Sequence, residues 1–345
     1  RFHYRALLLA ATALMAMTGI GFAAATDFWP ILVVAFVGTL NPSSGDVSVF
    51  LPLEHAVMSR LVDDRDRTAT FARYSLVGSL VAAVGSLAAG LPSIAAAQFG
   101  ITTLAATKGM FLLYAFNAVA TAFIYRGLPK ALGSVEKKAP APLGASKARV
   151  CTLAALFSLD AFGGGFVVQS MVALWLYQRH GVSLAQAGAI FFWTGILTAA
   201  SYLVAVRIAS RIGLVNTMVF THLPSSLCLV LIPFLDSLPA VLALLFVRSA
   251  LSQMDVPTRS SYVMAIVTPE ERPAAASITS VPRSLASAAS PALAGYLLGV
   301  SPFGWSLVAA GGLKIVYDLL LLAMFRKVRP PEEETTRDGN GRNLL

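Results

Sequence analysis

Long apolar runs organise this chain, and they do not alternate. Ten of them lie at approximately 5–25, 28–58, 70–91, 107–126, 150–177, 184–208, 214–234, 238–266, 273–299 and 304–326. Each reaches the roughly 20 residues that a helix needs to cross about 30 Å of hydrocarbon. Several contain Pro or Gly, which membrane helices tolerate when neighbouring helices satisfy the freed backbone groups. A membrane β-barrel would instead need strands of about ten residues with apolar and polar positions alternating. The pattern therefore predicts an all-α integral membrane fold.

Composition agrees, since 57% of the residues are hydrophobic and only 12% are charged. A soluble domain has too little interior to hide that much apolar surface. The net charge of +9 could suggest nucleic acid, but its distribution gives another reading. One alternate set of connections carries Arg60, Arg65, Arg67 and Arg73, then Arg126 to Arg149, Arg207 and Arg211, and Arg326 onward. The opposite set carries only Lys108 and Arg179. By the positive-inside rule the first set is cytoplasmic, which puts both termini in the cytoplasm. Residues 1–26 have the outline of a signal peptide, with basic Arg1 and Arg5, an apolar run and Ala23-Ala24-Ala25. Cys151 and Cys228 form neither a metal spacing nor a disulfide framework.

The chain also repeats itself. Arg67 through Gly90 lies over Arg272 through Gly295 at an offset of 205 residues (272 minus 67). Phe36-Val37 corresponds to Phe246-Val247, Asp46-Val47 to Asp255-Val256, and Tyr125-Arg126 to Phe325-Arg326. Parallel repeats about an axis along the membrane normal are a transporter architecture. At the upstream offset of 210 residues (246 minus 36) Arg1 falls on Arg211, so four helices of the first half are visible beside six of the second. The expectation is a 6+6 protein whose first two helices are absent, with residues 1–25 a true membrane helix.

On these features the chain resembles the major facilitator superfamily, whose plan is two six-helix halves joined by a basic cytoplasmic loop. Arg207, Ser210, Arg211 and Gly213 look like that family's loop motif in its second-half copy, with Ser210 where Asp is usual. The resemblance implies two pseudo-symmetric bundles working by alternating access. The expected divisions are a partial bundle at 1–126, a cytoplasmic linker at 127–148, a complete bundle at 149–327 and a tail at 328–345. The expected location is the cell membrane, of the bacterial inner-membrane kind.

Ionisable residues at membrane depth cost about 2.5–3.5 kcal/mol each even on the modest scales, so each needs a reason. Asp160 falls near the middle of its segment, followed by Gly163-Gly164-Gly165. It is a candidate proton carrier or cation-site carboxylate; the bland alternative is a permanent pair with an Arg of the same half, for which Arg248 is a candidate. Gln169 lies further along the same segment. Arg248, Ser252, Asp255, Arg259 and Tyr262 recur at steps of four and three, which would place them on one helical face. Asp255 and Arg259 should pair at i,i+4 as part of a cytoplasmic gate. Asp46 is the repeat counterpart of Asp255 and completes a pseudo-symmetric gate. Glu54 and His55 read as solvated interfacial residues. Arg283 is a charge peculiar to the second half, and Lys314 and Asp318 are spaced to neutralise each other. With Arg248, Arg283 and Lys314 set against Asp160 and Asp318, a spare cation would suit an anionic or zwitterionic substrate.

The expected function is proton-coupled secondary transport of small molecules, most simply efflux, with uptake of an organic anion or metabolite as the alternative. The antiporter motif that the resemblance would place in 70–91 matches poorly, which weakens the efflux reading. An intramembrane hydrolase would need a Gly-x-Ser-Gly-like nucleophile site with a deep histidine. Of His3, His55, His180 and His222, only His222 has a membrane position, and no such motif accompanies it. No phosphate-binding loop or metal spacing appears. The expected partners are the lipid bilayer, one small-molecule substrate and protons, with no nucleic acid, cofactor or metal, and a monomer as the working state.

Overall fold

The structure, a computed structural model, describes residues 4–40, 50, 53–54, 57–58, 64–129, 143–144, 146–268, 271–326 and 328. Among them there are helices and no strand. The helices are α1 (Tyr4–Ala24), α2 (Phe28–Val37), α3 (Asp64–Ala88), α4 (Leu91–Phe99), α5 (Thr103–Arg126), α6 (Lys147–Gly165) and α7 (Gln169–His180). They continue with α8 (Leu184–Ile212), α9 (Leu214–Leu231), α10 (Leu238–Leu251), α11 (Asp255–Ala265), α12 (Arg272–Val300) and α13 (Trp305–Phe325).

Seven stretches of the described residues are helical, long and apolar enough to cross a bilayer. They are Tyr4–Ala24, Leu76–Phe99, Thr103–Arg126, Lys147–His180, Leu184–Ala209, Leu214–Phe234 and Trp305–Phe325, with shorter apolar helices at Phe28–Val37 and Leu238–Leu251. The segment expected at 238–266 is two helices rather than one. Residues 252–254 form a turn between α10 and α11. The cause is Pro257: it cannot donate to the carbonyl of Gln253, and its ring would clash there, so α11 starts afresh with Pro257 in its first turn. The five-residue polar stripe therefore does not run along one continuous helix face.

The chain divides into two compact units, residues 1–138 with 184–189 and residues 139–183 with 190–345. In the first, α1 packs along α5. A side chain at Gly19 would stand 2.6 Å from the Phe111 carbonyl, and Phe22 stacks on Phe111 at 5.0 Å. Small residues that let backbones approach are how membrane helices associate where water supplies no driving force.

In the second unit α6 packs against α12 and α13, while α9 packs against α10, α11 and α13. A buried cluster joins Leu153 and Phe157 of α6, Met218 of α9, Tyr262 of α11, Ala275 of α12 and Tyr317 and Leu321 of α13. The glycine run on α6 brings these helices together. A Cβ on Gly163 would be 3.3 Å from the Ala310 carbonyl and from Lys314 Cγ, and one on Gly165 would lie 2.8 Å from the Ser287 carbonyl. One glycine thus admits α13 and the other admits α12. The run also ends the helix, because α6 stops at Gly165 and α7 resumes at Gln169.

Candidate functional site

The close approach of α13 to α6 carries Lys314 to Asp160. Its ammonium donates to Asp160 Oδ1 at 2.6 Å, and Arg259 Nη2 of α11 donates to Asp160 Oδ2 at 2.9 Å. Each oxygen of Asp160 therefore has its own permanent cation. Arg259 also pairs with Asp255 one turn back on α11, as its i,i+4 spacing predicts. Its guanidinium lies 5.1 Å from the centre of the Phe157 ring, within cation–π range.

His222 of α9 is the other junction. Its Nδ1 faces Asp318 Oδ1 at 3.0 Å and Oδ2 at 3.1 Å. Its Nε2 lies 3.5 Å from Lys314 Nζ and 3.7 Å from Asp160 Oδ1. Tyr317 packs edge-on against the His222 ring at 5.9 Å. All of these side chains are buried, Asp318 and Tyr317 completely and Lys314 least, at 9% exposure. Three carboxylates (Asp160, Asp255, Asp318) thus share one enclosed network with two permanent cations (Arg259, Lys314) and one imidazole. The group is one negative charge in excess with His222 neutral and balanced with His222 protonated. Arg259 Nε and Nη1 and the Tyr317 hydroxyl have no hydrogen-bond partner among the described residues.

This arrangement corrects two sequence expectations. Lys314 and Asp318 do not neutralise each other; Lys314 turns to Asp160 and Asp318 to His222. Arg248 is not the partner of Asp160. It lies on α10, where Ser225 Oγ donates to its carbonyl at 3.4 Å and its Nε has no hydrogen-bond partner among the described residues. Arg248 thus lies outside the network.

The remaining candidates are scattered. Gln169 opens α7 and is exposed, and Arg283 is partly buried on α12. Tyr262 donates to the Val328 carbonyl at 3.0 Å and packs edge-on against Phe325, so it ties α11 to the chain after α13. Arg207 and Arg211 are exposed in the last turns of α8. Gly213 joins α8 to α9 at φ +86°, a conformation other residues rarely adopt, and its carbonyl accepts the Thr217 hydroxyl at 2.7 Å. The side chain of Ser210, and the whole of Asp46 and His55, lie outside the described residues. Glu54 is not simply solvated: it is partly buried and accepts hydrogen bonds from Tyr74 of α3 and Tyr125 of α5.

Sequence reasoning singled out Asp160, Asp255 and Arg259 but gave His222 no role. The available signal was a histidine inside the apolar run 214–234, beside a second carboxylate, Asp318, in another apolar run. Nothing local links the two.

Multiple apolar helices enclosing a network of ionised residues define an integral membrane protein of the transporter type. The chain belongs to the Major Facilitator Superfamily, whose sequence profile matches residues 153–344. It is 26% identical over 356 aligned positions to an uncharacterized membrane protein of Saccharomyces cerevisiae, covering 93% of this chain and 80% of that one. Among solved structures it resembles a D323A mutant of the nucleoside transporter NupG, with TM-score 0.68 and 13% identity over 94% of this chain and 84% of that one. It also resembles the human organic anion transporter MFSD10, with TM-score 0.62 and 19% identity over 92% of this chain and 77% of that one. A bacterial homolog of the human lysosomal transporter Spinster, in an inward-facing and unoccupied conformation, gives TM-score 0.65 at 13% identity over 94% of this chain and 82% of that one. At these identities the structures speak for the fold alone.

Proposed function

We propose that the chain moves small molecules across its membrane by alternating access, coupled to protons. The observation that supports this is the charge balance of the buried network. Three carboxylates face two permanent cations, so the group takes up one proton to become neutral. Burying an uncompensated charge costs several kcal/mol, so the protonated and unprotonated forms favour different surroundings. A helical bundle that can present this site to either side would convert that preference into coupled movement. Efflux is the simplest direction, with both termini on the cytoplasmic side.

A second reading, transport of an organic anion, rests on Arg248. Its guanidinium pairs with no carboxylate among the described residues, and a cation at membrane depth suits a negatively charged substrate. The human protein MFSD10, of similar fold, is an organic anion transporter. Flux of a panel of organic anions and lipophilic cations into and out of proteoliposomes, with the pH gradient imposed in either orientation, tests both readings. Flux that ignores the gradient contradicts the first, and indifference of every anion to Arg248→Gln contradicts the second.

A further inference from the structure

The network divides into carboxylates that are already compensated and one that is not. Asp160 is held by Lys314 at 2.6 Å and Arg259 at 2.9 Å, and Asp255 is held by Arg259. Protonating Asp160 would set two buried cations against each other with one anion fewer. Asp318, fully buried, has no Lys or Arg within ion-pair distance among the described residues, and its partner is the titratable base His222. Resting on the proton-coupled reading above, we propose that the exchangeable proton is carried by the His222–Asp318 pair, and that Asp160 is a fixed anion.

The geometry also says what the proton would do. With His222 neutral and its Nδ1–H donated to Asp318, its Nε2 lone pair faces the Lys314 ammonium at 3.5 Å. A proton added at Nε2 turns that acceptor into a donor. It then repels Lys314 and is drawn to Asp160 Oδ1, 3.7 Å away, the oxygen that Lys314 already occupies. Proton arrival on α9 therefore competes with the bond joining α13 to α6. The proton is transferred from water with no bond made or broken besides N–H and O–H.

The groups facing His222 are Asp160 from α6 and Lys314, Tyr317 and Asp318 from α13, while Asp255 and Arg259 of α11, which also packs on α9, join the network through Asp160. Arg248 lies on α10, which also packs on α9. Imidazole is the side chain suited to exchange a proton near neutral pH in such surroundings.

The test uses the full chain in lipid nanodiscs with its four histidines labelled with nitrogen-15. His222→Gln identifies the His222 resonances by their loss; if that variant does not fold, replacing the other three histidines assigns them by elimination. The expected result is a switch of His222 from neutral to imidazolium resonances as the sample is taken from the alkaline to the acid end of its stable pH range. Asp318→Asn should lower the imidazolium fraction at every pH in that range, and the infrared carboxylate band removed by Asp160→Asn should stay ionised throughout. A His222 resonance fixed in one form across the range overturns the proposal, as does a protonated-carboxyl band that appears in acid and is lost in Asp160→Asn. Because no transport is measured, this result is independent of whether flux proves proton-coupled.

Discussion

Lys314 bonds to Asp160, across from α13 to α6, at 2.6 Å, and leaves Asp318 on its own helix to His222. This choice of partner makes Asp160 a structural anion. Removing one member of a buried pair typically costs about 3–5 kcal/mol, because the other charge is left uncompensated. Asp160→Asn should therefore lower the thermal midpoint of the purified protein in detergent markedly. The double variant Asp160→Asn with Lys314→Met should recover much of the loss. A single variant as stable as the parent contradicts the pairing.

Asp255 and Arg259 should show only partial rescue on charge reversal. Asp255→Arg alone places two cations on adjacent turns of α11. Adding Arg259→Asp restores opposite charges there but sets a new carboxylate beside Asp160, which Arg259 now holds at 2.9 Å. Folded yield should rise above the single variant and stay below the parent. No recovery argues against the pair, and full recovery argues against the link to Asp160.

Packing of α12 on α6 depends on Gly165. A methyl group there would meet the Ser287 carbonyl at 2.8 Å and Pro291 Cδ at 3.2 Å, and backbone cannot turn aside as a side chain can. Gly165→Ala is expected to cost about 1–3 kcal/mol through overpacking. Gly312→Ala has no neighbour within 4 Å and should be neutral or slightly stabilising. Thermal midpoints of the two variants side by side check this contrast.

Outside the membrane, Glu271 clasps the chain that enters α6. Its carboxylate accepts from the Gly144 N–H at 2.5 Å and the Ser146 hydroxyl at 2.7 Å, and those bonds hold its pKa below the usual value. A depressed folded-state pKa gives a contribution that is complete above the unfolded carboxylate value of about 4.3 and is lost as pH falls through the folded one. Hydrogen exchange at Gly144, corrected for intrinsic rate, should show protection at neutral pH that fades in acid. In Glu271→Ala it should be low at every pH. Protection unchanged in that variant contradicts the clasp.

How much of this was legible follows from where each interaction is encoded. Apolar run length anticipated long helices such as α1, α5, α8, α12 and α13, because a span must be that long and apolar to cross lipid. The Asp255–Arg259 pair was legible because both residues lie one turn apart on a helix. Pro257 signalled a kink, and the full break at 252–254 follows from the missing N–H and the ring. The glycine run at 163–165 announced close approach without saying which helices it admits. The partners of Asp160 were hidden for the opposite reason. Lys314 and Arg259 come from helices 154 and 99 residues away, and no periodicity links them. At i,i+4 the pattern even favoured the wrong pair, Lys314 with Asp318. Tertiary contact overrode it.

The central claim is that the movement of substrate and the movement of protons are coupled in one protein. Proteoliposomes loaded with a pH-sensitive dye, and given a substrate gradient but no pH gradient, test it most directly. The expected result is a change in internal pH that tracks substrate flux, with its sign reversing when the substrate gradient is reversed, and its loss in His222→Gln even where that variant still moves substrate. Substrate flux through the parent protein with no accompanying change in internal pH would contradict it.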